Sequence, residues 1–440
     1  MRRVAVIGSG ISGLTAAWVL AHSAEVTLYE AQPRLGGHAH THRLPVGRGD
    51  DSATVGIDSG FIVHNDRTYP TLLRLFGELG VVTQESDMSM SVCCDGCGLQ
   101  YAGAKGPRGL FADPGSLRRG RYLRMLTEVT RFHRIARTEL DTGSAGDTRR
   151  TLGEFLGAAH FSQYFTAHFM VPLVAAVWSC PPGAALDFPV RYLLTFLDHH
   201  GMLTLFGSPI WRTVTGGSGR YVQAVADRLH AVRGGVPVRA VRRDTAGVTV
   251  RDAVDRVDSF DAAVVATHPH EALALLASPT RVETEVLGAL TYSTNHTVLH
   301  GDPSVLPSRP GTRASWNYRL PSCDARPDRV LVSYDLNRLQ RLDALTDRRF
   351  VVTLGDGARV DPAAVIDTMV YEHPQYTPTF LAAQRRLPEL GDTRLAFAGA
   401  YHGWGFHEDG AVSGLVAAER VGGRWDGPAP DARRVVAVTG

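Results

Sequence analysis

The residues best suited to chemistry lie in one short stretch near the end of the 440-residue chain, GWGFHEDGAVSG. His407, Glu408 and Asp409 are consecutive there, and a helix is predicted to begin directly behind them, at Gly410 or Ala411. An imidazole or a carboxylate in this position could move a proton while a C–H bond is cleaved or a double bond migrates. Alternatively, Asp409 caps the helix and Glu408 pairs with an arginine. We predict His407 and Glu408 as catalytic residues.

Three aromatic residues, Tyr401, Trp404 and Phe406, stand immediately before this trio. Aromatic side chains at such spacing usually belong to a hydrophobic core. The surrounding glycines favour a second interpretation, in which the three side chains form the wall of an apolar substrate cavity. Both interpretations stay open, and the three residues are our predicted substrate-pocket residues.

A glycine pattern at the other end of the chain indicates what is bound. An apolar run at residues 4–7 predicts a buried strand, residues 14–22 a helix, and residues 25–29 a second strand that ends at Glu30. The turn between the first strand and the helix reads Gly8-Ser9-Gly10-Ile11-Ser12-Gly13. In a strand–turn–helix–strand unit of this kind, the helix N-terminus holds a pyrophosphate and the acidic residue accepts hydrogen bonds from a ribose. The pattern therefore predicts a bound dinucleotide.

A second motif, Arg34-Leu35-Gly36-Gly37, follows Glu30 closely. With it, the sequence resembles the flavin family that includes monoamine oxidases, phytoene desaturases and protoporphyrinogen oxidases. The resemblance implies FAD as the cofactor and an α/β architecture, in which a Rossmann-like FAD-binding domain is joined to a mixed α+β substrate domain. It also implies that a helix starting at Ala411 points its N–H groups at the flavin, with Gly410 allowing close approach. The further cofactor contacts that it implies are Ala31, Arg34, Gly36, Gly37, His38, Val238, Ala266, Gly399, Gly410 and Ala411.

A narrower resemblance extends over most of the chain. The motifs that carry it are GFIVHN at 60–65, GGSGRYV at 216–222, YDLNRLQ at 334–340 and GFHEDGAVSG at 405–414. They are similar to a bacterial subgroup described as NAD/FAD-binding or amine-oxidase-like, whose members are linked to modification of unsaturated or cyclopropanated fatty acyl chains. The resemblance thus implies hydride abstraction from a small lipophilic substrate, an unsaturated acyl or isoprenoid-like chain. If O2 or a quinone takes the electrons, the result is desaturation. If the hydride returns to the chain, the result is isomerisation.

Two other functions stay open. The first is amine oxidation, whose enzymes commonly use a lysine near the flavin. Lys105 is the only lysine of this chain and lies outside the expected region, which makes amine oxidation less favoured. The second is a non-catalytic FAD-binding protein, against which the His407-Glu408-Asp409 trio argues.

The scattered nucleotide motifs predict discontinuous domains. We assign residues 1–66, 209–277 and 379–424 to the FAD-binding domain, residues 67–208 and 278–378 to the substrate domain, and residues 425–440 to a loose tail.

Two clusters raise the question of a metal. His38, His40 and His42 alternate, but the spacing supplies no carboxylate or cysteine ligand, so hydrogen bonding near the cofactor is favoured. Cys94 and Cys97 form a CxxC, next to Cys93, but a zinc site would need a fourth ligand and usually a second pair of cysteines. The Asp-Gly pair between them instead predicts a hairpin, and no metal is predicted.

Bulk composition excludes few function classes. The formal charge is +2, which gives no global indication of nucleic-acid binding. Five unevenly clustered cysteines and the lack of a long apolar stretch predict a cytoplasmic location. An arginine-rich helix is predicted over residues 117–140. A solvated arginine face is the favoured interpretation, and a peripheral contact with an anionic membrane is the other.

Overall fold

The computed structural model describes residues 1–46, 54–142, 149–204 and 207–426. The strands in these ranges are β1 (Arg2–Ile7), β2 (Ala24–Tyr29), β3 (Thr41–Pro45), β4 (Thr54–Asp58), β5 (His64–Asn65), β6 (Thr83–Glu85), β7 (Met90–Cys94), β8 (Leu99–Ala102), β9 (Trp211–Val214), β10 (Ala231–Arg233), β11 (Val238–Arg243), β12 (Val248–Asp252), β13 (Val257–Phe260), β14 (Ala262–Val265), β15 (Tyr292–His300), β16 (Trp316–Leu320), β17 (Val332–Asp335), β18 (Val351–Leu354), β19 (Val365–Pro374) and β20 (Leu395–Phe397). The helices are α1 (Ile11–Ala21), α2 (Pro70–Leu79), α3 (Gly106–Leu110), α4 (Gly120–Thr142), α5 (Leu152–Ala158), α6 (Gln163–Phe165), α7 (Val171–Trp178), α8 (Pro182–Leu186), α9 (Val190–His199), α10 (Gly219–Ala226), α11 (Pro269–Leu275), α12 (Arg281–Gly288), α13 (Leu336–Leu339), α14 (Pro378–Gln384) and α15 (His407–Arg420).

The predicted N-terminal unit is present as β1, α1 and β2. These strands belong to a five-stranded sheet with the order β10-β2-β1-β14-β20, and every pairing in it is parallel. Two of its strands are apolar and buried over residues 4–7 and 262–265, because both faces of a parallel sheet are covered by other elements. The five strands come from the start, the middle and the end of the chain. Because they are parallel, the carboxyl ends of β1, β2 and β14 meet at one edge of the sheet.

Helix α15 packs directly on α1. A Cβ added to Gly410 would lie 2.6 Å from Ile11 Cγ2, and one added to Gly414 would lie 2.2 Å from the carbonyl oxygen of Ser12. Only glycine at these two positions allows the helices to come this close, because any side chain would overlap the facing helix. The N-terminal ends of α1 and α15 are thereby held side by side.

A seven-stranded sheet forms the second layer. Its order is β19-β15-β18-β17-β16-β7-β8, with β16 and β7 parallel and the other neighbours antiparallel. The predicted fold class, a Rossmann-like α/β region with a mixed second region, is therefore confirmed. The predicted hairpin around Asp95-Gly96 is also confirmed, because β7 and β8 pair with Cys94 opposite Leu99.

Two elements of the predicted substrate segment pack on the nucleotide side. Leu72 and Phe76 of α2 are fully buried in the same apolar cluster as α1 and α15. Strand β6 pairs with β9 in a small three-stranded sheet. The domain boundaries stay predictions, and these contacts argue for a nucleotide-binding region that extends past residue 66.

The C-terminal segment differs from the predicted loose tail at its first residue. Trp425 is buried, and its Nε1–H donates to both carboxylate oxygens of Glu78, at 2.9 and 2.8 Å. The guanidinium of Arg74 lies over the same ring, 4.2 Å from its centroid. Residues 427–440 lie outside the described residues.

The predicted arginine-rich helix is α4, three residues shorter at its start than expected. Tyr122, Met125 and Phe132 on one face are buried in the core, while Arg121 and Arg134 are exposed. The apolar face is thus covered by the protein itself, and membrane contact stays a prediction. Among the described residues, no helix has the length and apolar character needed to cross a membrane.

Candidate active site

The turn between β1 and α1 forms an open cradle at Gly10. A Cβ added there would meet no atom within 4 Å, whereas one added to Gly13 would lie 1.9 Å from the carbonyl oxygen of Gly8. Gly10 is the N-cap of α1, where no side chain caps the helix, and the first turn contains no acidic residue. Free N–H groups and the positive end of the helix dipole therefore face the space beside Gly10, which suits a phosphate group.

Ser9 joins the turn to the acidic residue at the end of β2. Its backbone N–H and its hydroxyl both donate to Glu30 Oε2, at 3.0 and 2.6 Å, and the N–H of Gly36 donates to the same hydroxyl at 3.0 Å. Ser9 is fully buried, so its side chain positions Glu30 and the second glycine motif. Each carboxylate oxygen has two acceptor positions, so Glu30 keeps capacity for a ribose.

The second glycine motif lies against the first. A Cβ added to Gly37 would lie 3.2 Å from Gly10 Cα, and Gly37 has a φ of +56°. The guanidinium of Arg34 donates to the carbonyl oxygens of Leu35 and Ala39 and to Gln32 Oε1. Within the described chain, none of these partners is a carboxylate, so the positive charge of Arg34 is available to an anion.

The remaining nucleotide-side predictions fall in different places. Ala266 lies behind the turn, where its N–H donates to Ile7 and its carbonyl oxygen would be 2.6 Å from a Cβ on Gly8. Ala31 is exposed. Val238 begins β11 and pairs with Asp252, whereas Val236, two residues earlier, donates its N–H to the carbonyl of Glu30. The structure thus brings Val236 next to Glu30, and a role for Val238 stays a prediction.

The helix that carries His407, Glu408 and Asp409, the HED turn, begins earlier than predicted. α15 starts at His407, so His407, Glu408 and Asp409 form its first turn and Gly410 and Ala411 lie inside it. The expected helix start at Gly410 or Ala411 was wrong, because the N–H of Gly410 already donates to the carbonyl of Phe406. The space that Gly410 leaves is used by α1, and Ala411 is fully buried in the apolar cluster.

His407 is enclosed by two aromatic side chains. Its ring stacks on Phe61, with centroids 3.5 Å apart and planes at 11°, and its Nε2 lies 3.2 Å from the Tyr221 hydroxyl. Burial, with a smaller contribution from His64, lowers the pKa of His407 to about 3. The imidazole is therefore neutral at physiological pH. Phe61 and Tyr221 lie in the GFIVHN and GGSGRYV motifs, which the sequence offered only as resemblance.

Glu408 and Asp409 have partners in the backbone. The N–H groups of Thr71 and Leu72 donate to the two oxygens of Glu408, at 2.8 and 2.9 Å, which caps the start of α2. The N–H of Phe406 donates to Asp409 at 2.9 Å. Burial raises the pKa of both carboxyl groups, that of Asp409 to about 6. Glu408 thus has a structural task, and its part in chemistry stays a prediction.

A cavity of about 250 Å³ opens beside this turn. Trp404 and Phe406, two of the predicted pocket residues, line it together with Tyr69, His199 and His200, and their contact with a substrate stays a prediction. The third predicted pocket residue is not among its lining: Tyr401 is 1% exposed, and its hydroxyl has no hydrogen-bond partner in the described chain. Gly399, a predicted cofactor contact, is buried, and its N–H donates to Ser413 Oγ.

Histidines converge where the two large sheets face each other. The ring of His38 lies 4.9 Å from that of Tyr371 and 5.4 Å from that of His373, both on β19, and 6.4 Å from that of His268. Burial first, and then the electrostatic effects of His373, His268, His407 and Arg34, lower the pKa of His38 far below its usual value. Its Nε2 is buried without a partner in the described residues. No sequence pattern pointed to His268 or His373, because both are far from His38 along the chain.

The other alternating histidines gain a carboxylate that the spacing alone did not supply. Ligand atoms of His40, His42 and Asp367 lie within 4.8 Å of one another. His42 contacts Asp367 at 3.3 Å and Ser59 at 2.8 Å, and His40 contacts Tyr371 at 3.1 Å. These partners explain how the side chains of His40 and His42 are held in place.

The open cradle at Gly10, the uncapped start of α1 and the guanidinium of Arg34 fit a dinucleotide, and the comparisons identify which one. Residues 11–351 match the family model of flavin-containing amine oxidoreductases. An 88-residue stretch is 38% identical to an L-amino-acid oxidase of Pseudechis australis, although the chain spans only 16% of that enzyme's length.

Solved structures agree on the fold. A cyclohexylamine oxidase from Brevibacterium oxydans superposes with a TM-score of 0.66 at 16% identity, covering 95% of this chain and 98% of the other. A CLA-producing fatty acid isomerase from P. acnes superposes with a TM-score of 0.63 at 16% identity, covering 94% and 97%. The protein belongs to the flavin-containing amine oxidoreductase family, and its cofactor is FAD.

Proposed function

We propose that the protein acts on a lipophilic, uncharged, unsaturated chain, which it desaturates or isomerises. One observation carries this proposal. The two carboxylates that line the cavity, Glu408 and Asp409, already accept backbone N–H groups from Thr71, Leu72 and Phe406. Burial also raises the pKa of both carboxyl groups, which disfavours the charged form that a cationic amine would need as its partner, because an unpaired charge is costly to bury. Both carboxyl groups are held by hydrogen bonds from the protein's own backbone, which argues for a neutral substrate.

The imidazoles around the cavity support the same conclusion. Burial lowers the pKa of His200, which lines the cavity, to about 4, and that of His407, next to the lining residue Glu408 in the chain, to about 3, so neither ring carries a charge at neutral pH. Trp404, Phe406 and Tyr69 contribute aromatic surface. These aromatic rings and the neutral ring of His200 lower the free energy of an apolar chain more than that of an ion, and the positive charge of Arg67, which also lines the cavity, repels a cationic amine.

In this proposal, the chain's own residues divide the work. The start of α1 and Arg34 would hold the pyrophosphate of FAD, and Glu30 would hold its ribose. When bound, the flavin supplies the hydride acceptor. The proposed acceptor of the proton that the substrate releases is Nε2 of His407, which lies 3.2 Å from the Tyr221 hydroxyl and directly precedes the cavity-lining residue Glu408 in the chain. Trp404 and Phe406 exclude water from the reacting carbon.

Lys105 offers no support for amine oxidation. Its Nζ donates to the carbonyl oxygen of Arg313, and it does not line the cavity beside the HED turn. A lysine that positions a water molecule near the flavin would have to lie in that cavity. Amine oxidation is therefore kept as an outcome of the test.

The test is an anaerobic titration of the purified flavoprotein with a panel of unsaturated fatty acyl lipids and a panel of amines. We expect lipids, and not amines, to bleach the flavin absorbance or to give products with shifted double bonds. Bleaching by amines alone would overturn the proposal, and so would unchanged lipids in both assays. The variant His407→Phe keeps the stacking on Phe61 and removes the ring nitrogens. It is expected to lose turnover by at least about 100-fold, the usual scale of general base catalysis, while it retains its flavin.

A further inference from the structure

We propose that Cys94, Cys97, Cys323 and His168 form a structural zinc site in the substrate region. Their ligand atoms all lie within 4.8 Å of one another. Cys94 Sγ is 3.8 Å from Cys323 Sγ, and Cys97 Sγ is 3.7 Å from His168 Nε2. This four-ligand set is separate from the flavin site, and the proposed function does not depend on it.

The distances agree with tetrahedral zinc. With Zn–S bonds of about 2.3 Å and Zn–N bonds of about 2.0 Å, a tetrahedron places two sulfur atoms about 3.8 Å apart and sulfur and nitrogen about 3.5 Å apart. Both measured separations lie near these values. Three thiolates and one imidazole are a ligand set that favours zinc over the hard cations, which prefer oxygen.

His168 is oriented for metal binding by a hydrogen bond. Its Nδ1 lies 3.1 Å from the carbonyl oxygen of Tyr164. A carbonyl can only accept, so Nδ1 carries the proton and the lone pair of Nε2 points toward Cys97. Metal-bound histidines are usually held in this way by a partner on their other nitrogen. His168 also lies in a π-helical turn, Thr166–Met170, a local irregularity that is frequent at functional sites.

The β7–β8 hairpin is shaped to bring its two cysteines together. The N–H of Gly98 donates to the carbonyl of Cys94 at 2.9 Å, and Gly98 has a φ of +66°, which closes the turn. A Cβ on Gly96 would lie 2.9 Å from Ser322 Cα, so glycine there allows the hairpin tip to rest on the loop that carries Cys323. The side chain of Cys93, the residue before Cys94 in β7, points to the face of the sheet opposite Cys94, because side chains alternate along a strand.

The site has the composition of a closed, structural centre. Four protein ligands fill the coordination sphere, which leaves no position for substrate. The ligands come from the β7–β8 hairpin, from the π-helical turn and from the loop after β16, and a bound ion would tie these three segments together. Because metal binding to a folded site adds to folding free energy, loss of the ion is expected to destabilise this part of the protein.

The experiment is metal analysis of the FAD-loaded protein, purified without a metal-affinity tag and dialysed against EDTA. We expect stoichiometric zinc, with release of the ion when a mercurial reagent blocks the thiols. Cys97→Ser and His168→Ala are expected to reduce the zinc content to background. Cys93→Ser and Cys180→Ser, which change cysteines outside the cluster, are expected to retain it.

Three results would overturn the proposal. They are wild-type protein without zinc, equal zinc in Cys97→Ser and Cys93→Ser, or a disulfide within the cluster found by mass spectrometry of the freshly purified protein. If the ligand variants fail to fold, the wild-type measurements still decide. Replacement by Co²⁺ adds an independent reading, because a tetrahedral site with three thiolates gives intense sulfur-to-cobalt charge-transfer absorption and an oxygen-ligated surface site does not.

Discussion

At the scale of single residues, two glycines of one turn differ in what a methyl group would meet. A methyl group on Gly13 would overlap the backbone of Gly8, whereas a methyl group on Gly10 would enter open space. Gly10→Ala is therefore expected to fold normally and to lower the affinity for FAD by at least about tenfold, or ~1.4 kcal/mol, because the methyl group occupies the phosphate position. The flavin-to-protein absorbance ratio measures this loss. Full flavin content in Gly10→Ala would show that the cofactor does not use this cradle.

His64 is a buried imidazole whose protonation makes the stability of the folded protein depend on pH. It is fully buried, and burial followed by Arg212 lowers its pKa to about 3. The unfolded chain binds a proton near pH 6.5 and the folded chain does not, so stability is lost as pH falls from about 6.5 toward 3. The loss from this residue is about 2 kcal/mol at pH 5. In His64→Phe, urea unfolding at pH 8 and pH 5 is expected to show a correspondingly smaller difference. Equal differences in the variant and the wild type would contradict this assignment.

At the scale of secondary-structure elements, the contact between α1 and α15 is set by small residues. Gly414→Ala would place a methyl group 2.2 Å from the Ser12 carbonyl oxygen, and neither helix backbone can move without disturbing the phosphate-binding turn. We expect a loss of about 1–3 kcal/mol in stability, the usual cost of overpacking. Thermal unfolding measures it, with Gly157→Ala as the control, since that exposed helical glycine has no neighbour within 4 Å. A control that falls as far as Gly414→Ala would remove the steric explanation.

The capping of α2 by Glu408 is the second prediction at this scale. Glu408→Ala leaves the N–H groups of Thr71 and Leu72 without their acceptor, and we expect it to cost about 1–3 kcal/mol. Glu419→Ala, an exposed position on the same helix, is the matched control and is expected to be neutral. Denaturant unfolding of both variants checks this. If Glu408→Ala proves as stable as the control, the carboxylate is free for chemistry.

At the scale of the whole molecule, one apolar cluster crosses between the two large sheets. Ile7 and Tyr29 of the parallel sheet belong to the same cluster as Tyr318, Val332 and Val352 of the mixed sheet. Although chains of this size often unfold in steps, a shared core favours a single transition. We expect far-UV circular dichroism and flavin fluorescence to report the same midpoint on heating. Flavin release well below the loss of secondary structure would show that the two regions separate first.

Local sequence patterns determine several of the secondary-structure elements and turns of this protein. The glycine turn, the helix behind it and the strand that ends at Glu30 were predictable because each depends on residues close in sequence. The β7–β8 hairpin was predictable for the same reason, from its Asp-Gly pair. Family motifs added the cofactor and the fold class, both of which the comparisons support.

The tertiary structure decided which partners these side chains meet. Glu408 caps a helix whose first residues lie more than 300 positions earlier in the chain. The ligands of the proposed zinc site come from three distant segments, and only Cys94 and Cys97 are close in sequence. The predicted start of α15 was wrong by three or four residues, because Asp409 accepts the Phe406 N–H and Gly410 packs against α1. A sequence pattern shows which groups are available, but burial and contact depend on elements that only folding brings together.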